Sequence, residues 1–528
     1  MKELPIHIEL DSESRQTLYE QIYEYIREEI RAGRLMQDEK LPSARFLADY
    51  LQVSRTTVDM AYGQLVSEGY LEARSRKGYF VSAIEDLYAM DQVMRRTDVG
   101  KSGAGGGQMQ PGKTSRDVMP GTGRASQSAE ARICCDFSPN AIDMRYFPYA
   151  TWKKITKNIL VDANSKMFSL GEPQGDLSLR TTICRYLHGS RGVNCEPEQI
   201  IIGAGNDYLL LLLEKILGRH VPVAMENPTY VRAYKVFRSC AYPVSLVPMD
   251  ENGIRVDCLR KTDARVAYVM PSHQYPTGVS MPIGRRMELL KWAAEEPGRY
   301  LIEDDYDSEF RYKGKPLPSL QASDNGGRVV YIGTFSKAIA PAIRISYMVL
   351  PYPLLERYRS VCGFYASTVS RIDQTVLNEF IQDGYFERYL NKMRKQYREK
   401  HDLILSGLKS FEKGFRISGG NAGLHVLLTD RLGRNEEMLT LAAAAEGVRV
   451  YGMEDFRMGE SGGAESGKEA FGDFEPEKFA DVENLAKAPG TEGRDTSEQN
   501  PATLILGYGA LTVDEIRDGL TLLKKAWL

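Results

Sequence analysis

Polar side chains follow two apolar, strand-like runs in the second half of the chain. The runs are RYLIEDDYDSEFRY (299–312) and RVVYIGTFSKAIAPAIRISYMVL (328–350). Together they supply an acid, a phenol, two hydroxyls, a lysine and an arginine. The side chains concerned are Asp304 and Tyr306 after the first run, and Thr334, Ser336, Lys337 and Arg344 after the second.

This set matches what pyridoxal 5′-phosphate (PLP) requires of a protein. A lysine amine with a lowered pKa forms Schiff bases with aldehydes. A carboxylate beside a pyridine nitrogen keeps that ring protonated, and an arginine with hydroxyls and helix-start amides holds a phosphate. A lone lysine is usually a solvated surface residue, and Arg344 alone could form a surface ion pair. The prediction of a PLP site therefore depends on the ordered set.

An α/β framework would bring these side chains together. Three apolar runs, at 265–278, 299–312 and 328–350, end in polar residues, and MPIGRRMELLKWAAEE between the first two has the pattern of an amphipathic helix. Buried strands that alternate with helices predict a mostly parallel sheet. Ligands of such sheets bind beyond the carboxyl ends of the strands, which is where the polar residues fall.

Two stretches without hydrophobic periodicity divide the 528 residues. Residues 83–132 are rich in Gly, Ser, Gln and Pro and predict a flexible linker. Residues 452–503 have the same character and predict a largely disordered surface insertion. We therefore expect a head domain at 1–82 and a rear domain at 133–528.

The overall composition is that of an ordinary soluble protein, with 42% hydrophobic and 26% charged residues. A net charge of −3 gives no global basic field, and no stretch approaches twenty apolar residues. The 7 cysteines show neither CxxC pairing nor metal-like spacing. We therefore expect reduced thiols, no metal site and a cytoplasmic location.

The head has the pattern of a winged helix-turn-helix. LYEQIYEYIREEIRAG (18–33) carries apolar residues at 18, 22, 26 and 30, one stripe of a helix. Ser43 and Ser54 each precede a short helical pattern in the position of an N-cap, with a tight turn at 51–53 between the two helices. YLEARSRKGYFVS then predicts a β-ribbon, the wing.

The charges of the head are unevenly distributed. Residues 1–82 hold 11 basic and 14 acidic side chains, so a general basic surface is absent. The basic residues nevertheless group at the recognition end, at Arg45, Arg55, Arg74, Arg76 and Lys77. Helix-start hydroxyls and these cations could contact phosphates and base edges. The predicted DNA contacts are Ser43, Arg45, Ser54, Arg55, Thr56, Thr57, Lys77 and Gly78; the alternative is a small helical protein-interaction module.

A family resemblance makes the first alternative specific. LPSARFLADYLQVSRTTVDMAYGQLVSEGYLEARSRKGYFV resembles the winged-helix domain of the GntR family of bacterial transcription regulators. The likeness covers most of residues 10–82. One departure is Tyr79, where the pattern usually has a small residue in the wing.

The rear domain resembles fold-type I aminotransferases, and more closely the aminotransferase-like half of the MocR subfamily of GntR regulators. The motifs are GEPQGDLSLR, IIIGAGNDYLLLLLEKILG, ENPTYVRA, PSHQYPTGVSMP, IEDDYDSEFRY and GTFSKAIAPAIRISY, over about 135–455 and again near 504. The resemblance implies that Lys337 carries the internal aldimine with PLP and that Asp304 pairs with the pyridine nitrogen. It also implies that Tyr306 bonds the ring hydroxyl, that Tyr230 covers the ring face, and that Thr334, Ser336, Arg344 and the Gly205–Asn206 turn hold the phosphate. For the two tyrosines, core packing is the alternative.

Several positions depart from the pattern of working aminotransferases. Tyr275 replaces the asparagine of the NPTG turn, and Leu170 replaces a tyrosine that reaches the partner's phosphate in many relatives. In LILGYGAL (504–511), Ile505 stands where relatives carry the arginine that grips a substrate carboxylate. Arg449 or Arg457, beside the insertion, could take that place.

An effector could contact Arg232, His273 and Gln274. Arg232 lies two residues after Tyr230, and His273 and Gln274 precede the PTG turn. Either His273 or His425 could instead be structural.

We therefore expect a PLP-dependent, homodimeric transcription regulator that binds double-stranded operator DNA and senses an amino compound or PLP itself. By resemblance, the head of one subunit would meet the other subunit's sensor domain. The alternatives are an active aminotransferase that bears a DNA-binding head and a scaffold that has lost its cofactor.

Overall fold

The structure is a computed structural model that describes residues 8, 10–11, 16–74, 77–82, 133–161, 165, 167–312, 317–420, 422–459 and 501–528. The predicted linker at 83–132, Arg76 and most of the predicted insertion at 452–503 lie outside the described residues.

The head contains three helices and a two-stranded wing, as its sequence pattern predicts. The elements are α1 (Leu18–Arg31), α2 (Ala44–Leu51), α3 (Arg55–Glu68), β1 (Leu71–Arg74) and β2 (Gly78–Val81). Ser43 and Ser54 cap α2 and α3, since their hydroxyls accept bonds from the Phe46 and Thr57 amides at 3.2 and 3.1 Å. Both predicted N-caps are therefore present in the structure.

The head has an apolar core of its own. Ile22, Ile26 and Ile30 are buried on α1, in line with the predicted stripe. Tyr79 of the wing packs edge-to-face on the buried Tyr62, with ring centroids 4.8 Å apart. The bulky residue in the wing thus anchors β2 to α3.

The rear domain contains an eight-stranded sheet in the order β4-β11-β10-β9-β8-β5-β6-β7. Four of its seven strand pairs are parallel: β5–β6, β5–β8, β8–β9 and β9–β10. This is the mostly parallel sheet that the apolar runs predict. Its strands are β4 (Ile200–Gly203), β5 (Val223–Asn227), β6 (Val244–Asp250), β7 (Gly253–Ile254), β8 (Val266–Val269), β9 (Tyr300–Asp305), β10 (Val329–Thr334) and β11 (Ser346–Val349).

Helices accompany these strands along the chain, and β4, β8 and β11 are buried along their whole length. The helices up to the last strand of the sheet are α4 (Tyr149–Ile159), α5 (Leu177–Arg191), α6 (Asn206–Leu217), α7 (Val231–Ser239), α8 (Val256–Leu259), α9 (Ile283–Glu295) and α10 (Phe335–Ala338). Those that follow it are α11 (Tyr352–Val361), α12 (Arg371–Gln382), α13 (Tyr385–Leu408), α14 (Glu436–Ala445) and α15 (Val513–Trp527).

Two smaller sheets complete the rear domain. A four-stranded sheet has the order β12-β13-β16-β15, and β14 pairs with β3. The strands are β3 (Cys135–Asp136), β12 (Phe415–Ser418), β13 (His425–Asp430), β14 (Val448–Arg449), β15 (Tyr451–Gly452) and β16 (Thr503–Gly507). The pairing of β15 with β16 joins the two ends of the predicted insertion. The predicted insertion therefore begins and ends at two adjacent strands of this sheet.

The head lies against the start of α9 in the same chain. Gly69, which ends α3 with φ +81°, approaches so closely that an added Cβ would stand 2.7 Å from the Cβ of Pro282. Glu68, on α3, is buried beside Tyr23, which donates to it at 2.8 Å. The single chain thus contains a packed contact between head and rear domain.

Among the described residues, no helix is both long enough and apolar enough to cross a membrane.

Candidate functional site

A cavity of about 630 Å³, including its open mouth, lies at the carboxyl ends of the parallel strands. This is the edge at which ligands of such sheets bind. It is lined by Asn140, Asn206, Asp207, Tyr230, Arg232, Met270, Tyr275, Asp304, Tyr306, Thr334, Ser336, Lys337 and Arg344. Eight of these are residues that the sequence predicts for the cofactor or its phosphate, brought together from four segments of the chain.

Asp304, at the end of β9, is buried with one of its two carboxylate oxygens satisfied. Asn206 donates to Oδ2 at 2.8 Å, and the Tyr268 hydroxyl donates to the same oxygen. Oδ1 is buried without a hydrogen-bond partner. Burial raises the pKa of Asp304 to about 7, against the lowering effect of Tyr268 and Asn206. A positively charged ring N–H would both satisfy Oδ1 and return this carboxyl to its ionised form.

Lys337 lies on α10, one short helical turn beyond the end of β10. Its Nζ donates to the backbone oxygen of Asn140 at 2.8 Å. Burial lowers the pKa of the amine to about 8, although Asp307 acts to raise it. A substantial fraction of the amine is therefore neutral, and nucleophilic, at physiological pH.

A phosphate-sized cradle surrounds the start of α6 and α10. The Ser336 hydroxyl is buried without a hydrogen-bond partner, while its amide donates to Thr334 Oγ1 at 3.1 Å. Gly205, with φ +95°, precedes α6, and a Cβ at this position would collide with the guanidinium of Arg344. The start of α6, a spare hydroxyl and an arginine are the kinds of donor that a phosphate needs.

Asp207, whose role sequence reasoning did not predict, stands between two arginines. Its Oδ2 lies 3.4 Å from Arg344 Nη2 and 3.4 Å from Arg232 Nη1. Its signal in the sequence is only its place after Asn206, at the first turn of α6. The carboxylate holds both guanidinium groups at the mouth of the cavity.

The aromatic residues form the remaining wall. Tyr230 and Tyr275 pack edge-to-face with centroids 6.0 Å apart, and burial raises the pKa of Tyr230 to about 12. The Tyr306 hydroxyl lies 3.0 Å from His273 Nδ1, which is also 2.9 Å from Asp307. Both Tyr230 and Tyr306 therefore line the cavity in addition to packing in the protein.

Tyr275 stands where the usual NPTG turn has an asparagine, and its hydroxyl has a hydrogen-bond partner within the fold. Asn140 donates to its hydroxyl at 3.0 Å, and the backbone oxygen of the same Asn140 accepts from Lys337. Asn140 belongs to no recognisable motif, so its place beside the lysine could not be foreseen.

The predicted effector contacts separate into two groups. Arg232 lines the cavity, whereas His273 and Gln274 are not among its lining side chains. Gln274 donates to the Pro228 backbone oxygen at 2.9 Å and accepts from the Thr277 amide at 3.0 Å. His273 thus contacts Tyr306, and Gln274 bonds the PTG turn. His425 is likewise bonded within the fold, to the Pro276 oxygen at 2.9 Å.

The structure also locates the positions where the chain departs from aminotransferases. Ile505 is fully buried on β16, opposite Leu427 and Tyr451 in the sheet register. Arg449 pairs with Asp136 at 3.7 Å and Arg457 with Glu454 at 3.0 Å. Neither arginine lines the cavity. Within the described part of the chain, its cationic lining residues are Arg232, Lys337 and Arg344.

Leu170 is 84% exposed. Several other large apolar side chains of the rear domain are also exposed, to a lesser degree. Leu170 makes no contribution to the cavity wall of this chain.

The residues predicted to contact DNA lie at the starts of α2 and α3 and in the wing. Arg55 is exposed and forms an i,i+4 ion pair with Asp59 at 3.3 Å. The Ser54 hydroxyl bonds Thr57 as well as capping α3, so these hydroxyls are partly engaged. Arg74 is paired with Asp38 and Glu72. The side chains that remain exposed are Ser43, Arg45, Ser54, Arg55, Thr56 and Lys77, while Thr57 and Gly78 are half-buried.

The donor set of the cavity fits PLP. Asp304 offers an unpartnered acceptor to a ring nitrogen, Lys337 offers an amine, and Ser336, Arg344 and the Gly205 turn offer phosphate donors. These features point to a PLP-binding fold joined to a DNA-binding head.

Comparisons with known proteins agree with both halves. Residues 137–462 match the family "Aminotransferase class I and II", and residues 18–81 match "Bacterial regulatory proteins, gntR family". The chain is 39% identical to the uncharacterized HTH-type transcriptional regulator YdeL of Bacillus subtilis, covering 82% of this chain and 88% of the relative. It is 32% identical to the probable rhizopine catabolism regulatory protein MocR of Rhizobium meliloti, covering 83% and 87%.

A solved structure shows the same rear fold. The kynurenine aminotransferase of Pyrococcus horikoshii superposes with a TM-score of 0.59 at 24% identity, covering 74% of this chain and 90% of that one. The protein described here is therefore a helix-turn-helix transcription regulator with an aminotransferase-like domain. It belongs to the MocR subfamily of GntR regulators.

Proposed function

We propose that the rear domain binds PLP at Lys337 and regulates the DNA-binding head in response to an amino compound or to PLP itself. The observation that carries this proposal is the buried, unpartnered Oδ1 of Asp304 in the same cavity as Lys337. A buried carboxylate oxygen without a partner is costly unless a ligand supplies the missing donor. A protonated pyridine nitrogen supplies it.

Each residue has a distinct task toward this cofactor. PLP itself supplies an aldehyde that captures amines. The neutral fraction of the Lys337 amine is the nucleophile for that aldehyde, and Asp304 holds a proton at the ring nitrogen. Arg344, Ser336 and the Gly205–Asn206 turn bind the phosphate, with Thr334 positioning Ser336. Tyr230 and Tyr306 line the same cavity, where Tyr230 would cover the face of the ring and Tyr306 would bond its hydroxyl.

Sensing, with little or no turnover, is supported by the absence of a second carboxylate clamp among the described cavity residues. Transamination of an α-amino acid needs its carboxylate fixed so that the Cα–H bond stands perpendicular to the ring. An arginine fork does this with two bonds, whereas the buried Ile505 cannot. Losing such a clamp slows turnover on the order of a thousandfold, about 4 kcal/mol.

Arg232 is then the candidate contact for an acidic group of the effector. It lies at the cavity mouth, where Asp207 shares it with the phosphate-side Arg344. A single cation in the cavity that holds Lys337 suits an ω-amino acid or another amine better than a common α-amino acid. Ligand occupancy would shift the equilibrium between conformations of the protein that differ in affinity for DNA.

The heads would work in pairs. A homodimer presents two winged helices to two operator half-sites, whose spacing mirrors the symmetry of the protein. The resemblance to the MocR subfamily implies contact between one head and the other subunit's sensor domain. In the single chain the head lies against its own α9.

An active aminotransferase is the second candidate, favoured by the complete Asp304, Lys337 and Arg344 set in one cavity. The regulator and the enzyme make opposite predictions in one experiment. The purified protein is assayed for operator affinity with and without PLP and with a panel of amines, and for transamination of the same amines with pyruvate or 2-oxoglutarate.

We expect PLP or one amine to change operator affinity by at least about tenfold, equivalent to roughly 1.4 kcal/mol. Turnover should stay well below one per second. Lys337→Ala should retain DNA binding but lose the response. Identical operator affinity in every state, or turnover of about one per second or faster on a common amino acid, would contradict sensing.

A further inference from the structure

Three side chains that bind metal ions meet at the end of α5, outside the PLP site. Cys184 and His188 are four residues apart on the helix and so share one face. Gly192, with φ +64°, turns the chain so that Cys195 comes back beside them. The Cys184 Sγ and His188 Nε2 atoms are 3.7 Å apart, and the three potential ligand atoms all lie within 4.8 Å of one another.

One of these separations matches that of a tetrahedral zinc site, and the others are bounded by 4.8 Å. Zinc–sulfur and zinc–nitrogen bonds of about 2.3 and 2.0–2.1 Å place neighbouring sulfur and nitrogen ligands about 3.6 Å apart, and two sulfur ligands about 3.8 Å apart. The Cys184–His188 distance already has this value. Within the described residues, no other group of three Cys, His, Asp or Glu side chains is arranged in this way.

The turn that carries Cys195 is held rigidly. The Asn194 amide donates to the Gln321 side chain and the Asn194 oxygen accepts from it, both at 2.8 Å. Val193 is fully buried. Cys184 Sγ and His188 Nε2 both contact the Cys195 backbone oxygen, at 3.2 and 2.8 Å. Small side-chain rotations would turn them from this oxygen to a shared ion, with no change in the backbone.

Access to the three ligands is one-sided. Cys184 and Cys195 are buried, whereas His188 is exposed. Solvent can therefore reach the group from the histidine side, which gives an ion an entry path and leaves room for water as the fourth ligand.

We propose that Cys184, His188 and Cys195 form a zinc-binding site. Two thiolates and an imidazole are soft and borderline donors, the set that selects Zn²⁺ over Mg²⁺ or Ca²⁺. The linear spacing C-x3-H-x6-C gives no sign of this, because a helical turn and a glycine reversal, and not a CxxC knuckle, bring the ligands together. The proposal replaces the expectation from the sequence that the chain has no metal site.

The ion would fix the end of α5, which supports β9, the strand that carries Asp304. Arg191, at the end of the helix, is buried and bonds Asp305 through Nε and Oδ2 at 2.7 Å. Asp305 is the neighbour of Asp304 on β9. A zinc ion at Cys184 and Cys195 would tie this helix end to the following turn and so hold Arg191 in place.

The test uses the full-length protein, purified under reducing conditions and stripped of metal. Titration with Co²⁺ should give d–d bands of a tetrahedral site and sulfur-to-metal charge-transfer bands from two thiolates, and Zn²⁺ should displace one Co²⁺ per chain. Cys184→Ser and Cys195→Ser should each remove the charge-transfer signal of one sulfur, and His188→Ala should weaken Zn²⁺ binding by at least about tenfold. Cys240→Ser, a half-buried cysteine outside the group, should match the wild type.

A second measurement covers variants that fail to fold. In the wild-type protein, bound Zn²⁺ should slow alkylation of Cys184 and Cys195 without changing that of Cys240, as read by peptide mapping. Cobalt binding without sulfur bands, or equal Zn²⁺ affinity for the wild type and Cys195→Ser, would overturn the proposal. So would a Cys184–Cys195 disulfide in a protein that takes up no zinc after reduction.

Discussion

At the scale of single residues, burial sets the chemistry of the cavity. Asp304 is buried and Lys337 is half-buried, and their pKa values move toward each other, to about 7 and about 8. Desolvation penalises the charged form of each group, which raises the pKa of an acid and lowers that of an amine. The pair is therefore tuned to react near neutral pH.

The lowered pKa of Lys337 predicts the pH dependence of PLP attachment. With a pKa of about 8, the neutral amine grows from roughly a tenth of the total at pH 7 to roughly nine-tenths at pH 9. The attachment rate of the cofactor-free protein, followed by stopped-flow absorbance, should therefore rise about tenfold and then level off.

Nα-acetyl-lysine is the control for this rate, because its ordinary pKa near 10.4 keeps the neutral fraction rising about a hundredfold over the same range. A protein rate that rose as steeply as the control, without a plateau, would show that the pKa of the Lys337 amine is not lowered.

Arg55 provides the prediction for DNA. It is exposed at the start of α3 and, within the described part of the chain, forms an ion pair with Asp59. If Arg55 reads a base edge, Arg55→Ala should weaken binding to an operator selected from random DNA by about 1–3 kcal/mol. Fluorescence anisotropy on specific and random fragments measures the difference.

Arg34→Ala is the matched control. Arg34 is an exposed arginine of the head that follows α1 and bonds Glu29 on that helix. The substitution should change neither affinity. Equal weakening of specific and random DNA by Arg55→Ala would assign Arg55 to a phosphate, and no change in either would remove it from the interface.

At the scale of elements, the start of α6 shows how a turn prepares a phosphate site. Gly205 adopts φ +95°, a conformation that side chains other than glycine's disfavour, and Arg344 fills the space in front of it. The first residues of α6, Asn206 and Asp207, line the cavity, at the helix end where backbone amides lack helical partners.

Gly205→Ala should therefore lower PLP affinity by about tenfold or more, since backbone strain of about 1–2 kcal/mol adds to displacement of Arg344. Equilibrium titration followed by visible absorbance measures the affinity. Gly189→Ala is the control, because a Cβ at Gly189 meets nothing within 4 Å in the interior of α5. Equal PLP affinity for the two variants would contradict the role of the Gly205 turn.

The contact between the head and α9, like the Gly205 turn, depends on the close approach of a glycine to its neighbour. Gly69 packs on Pro282, and Pro282 follows the PTG turn that carries Tyr275 by only a few residues. One short segment therefore runs from the wall of the cavity to the surface that the head covers.

At the scale of the whole molecule, sequence patterns predict the architecture well. Apolar runs ending in polar residues place Asp304 and Lys337 at one edge of a mostly parallel sheet, because consecutive parallel strands end on the same side. The capping serines likewise mark the starts of α2 and α3. These features depend on local periodicity and on short-range hydrogen bonds, which the sequence displays directly.

The residues that were missed depend on long-range packing. Asn140 reaches Lys337 and Tyr275 across more than a hundred residues, and the Tyr268 phenol is indistinguishable from its apolar neighbours in the sequence until β8 lies beside β9. His273 lies next to the PTG turn in the sequence, but only the folded chain shows that its Nδ1 lies 2.9 Å from Asp307. No local pattern carries such information.

The central claim is that Lys337 holds PLP, and borohydride reduction tests it most directly. The purified protein is loaded with PLP, reduced, digested and analysed by mass spectrometry. Reduction should abolish the visible absorbance band and leave one pyridoxyl group on the peptide that contains Lys337.

Lys337→Ala should show neither the band nor the label, while Lys215→Ala, which removes a lysine paired with Glu214 outside the cavity, should show both. A pyridoxyl group on a different lysine, or an unaltered band in Lys337→Ala, would contradict the account.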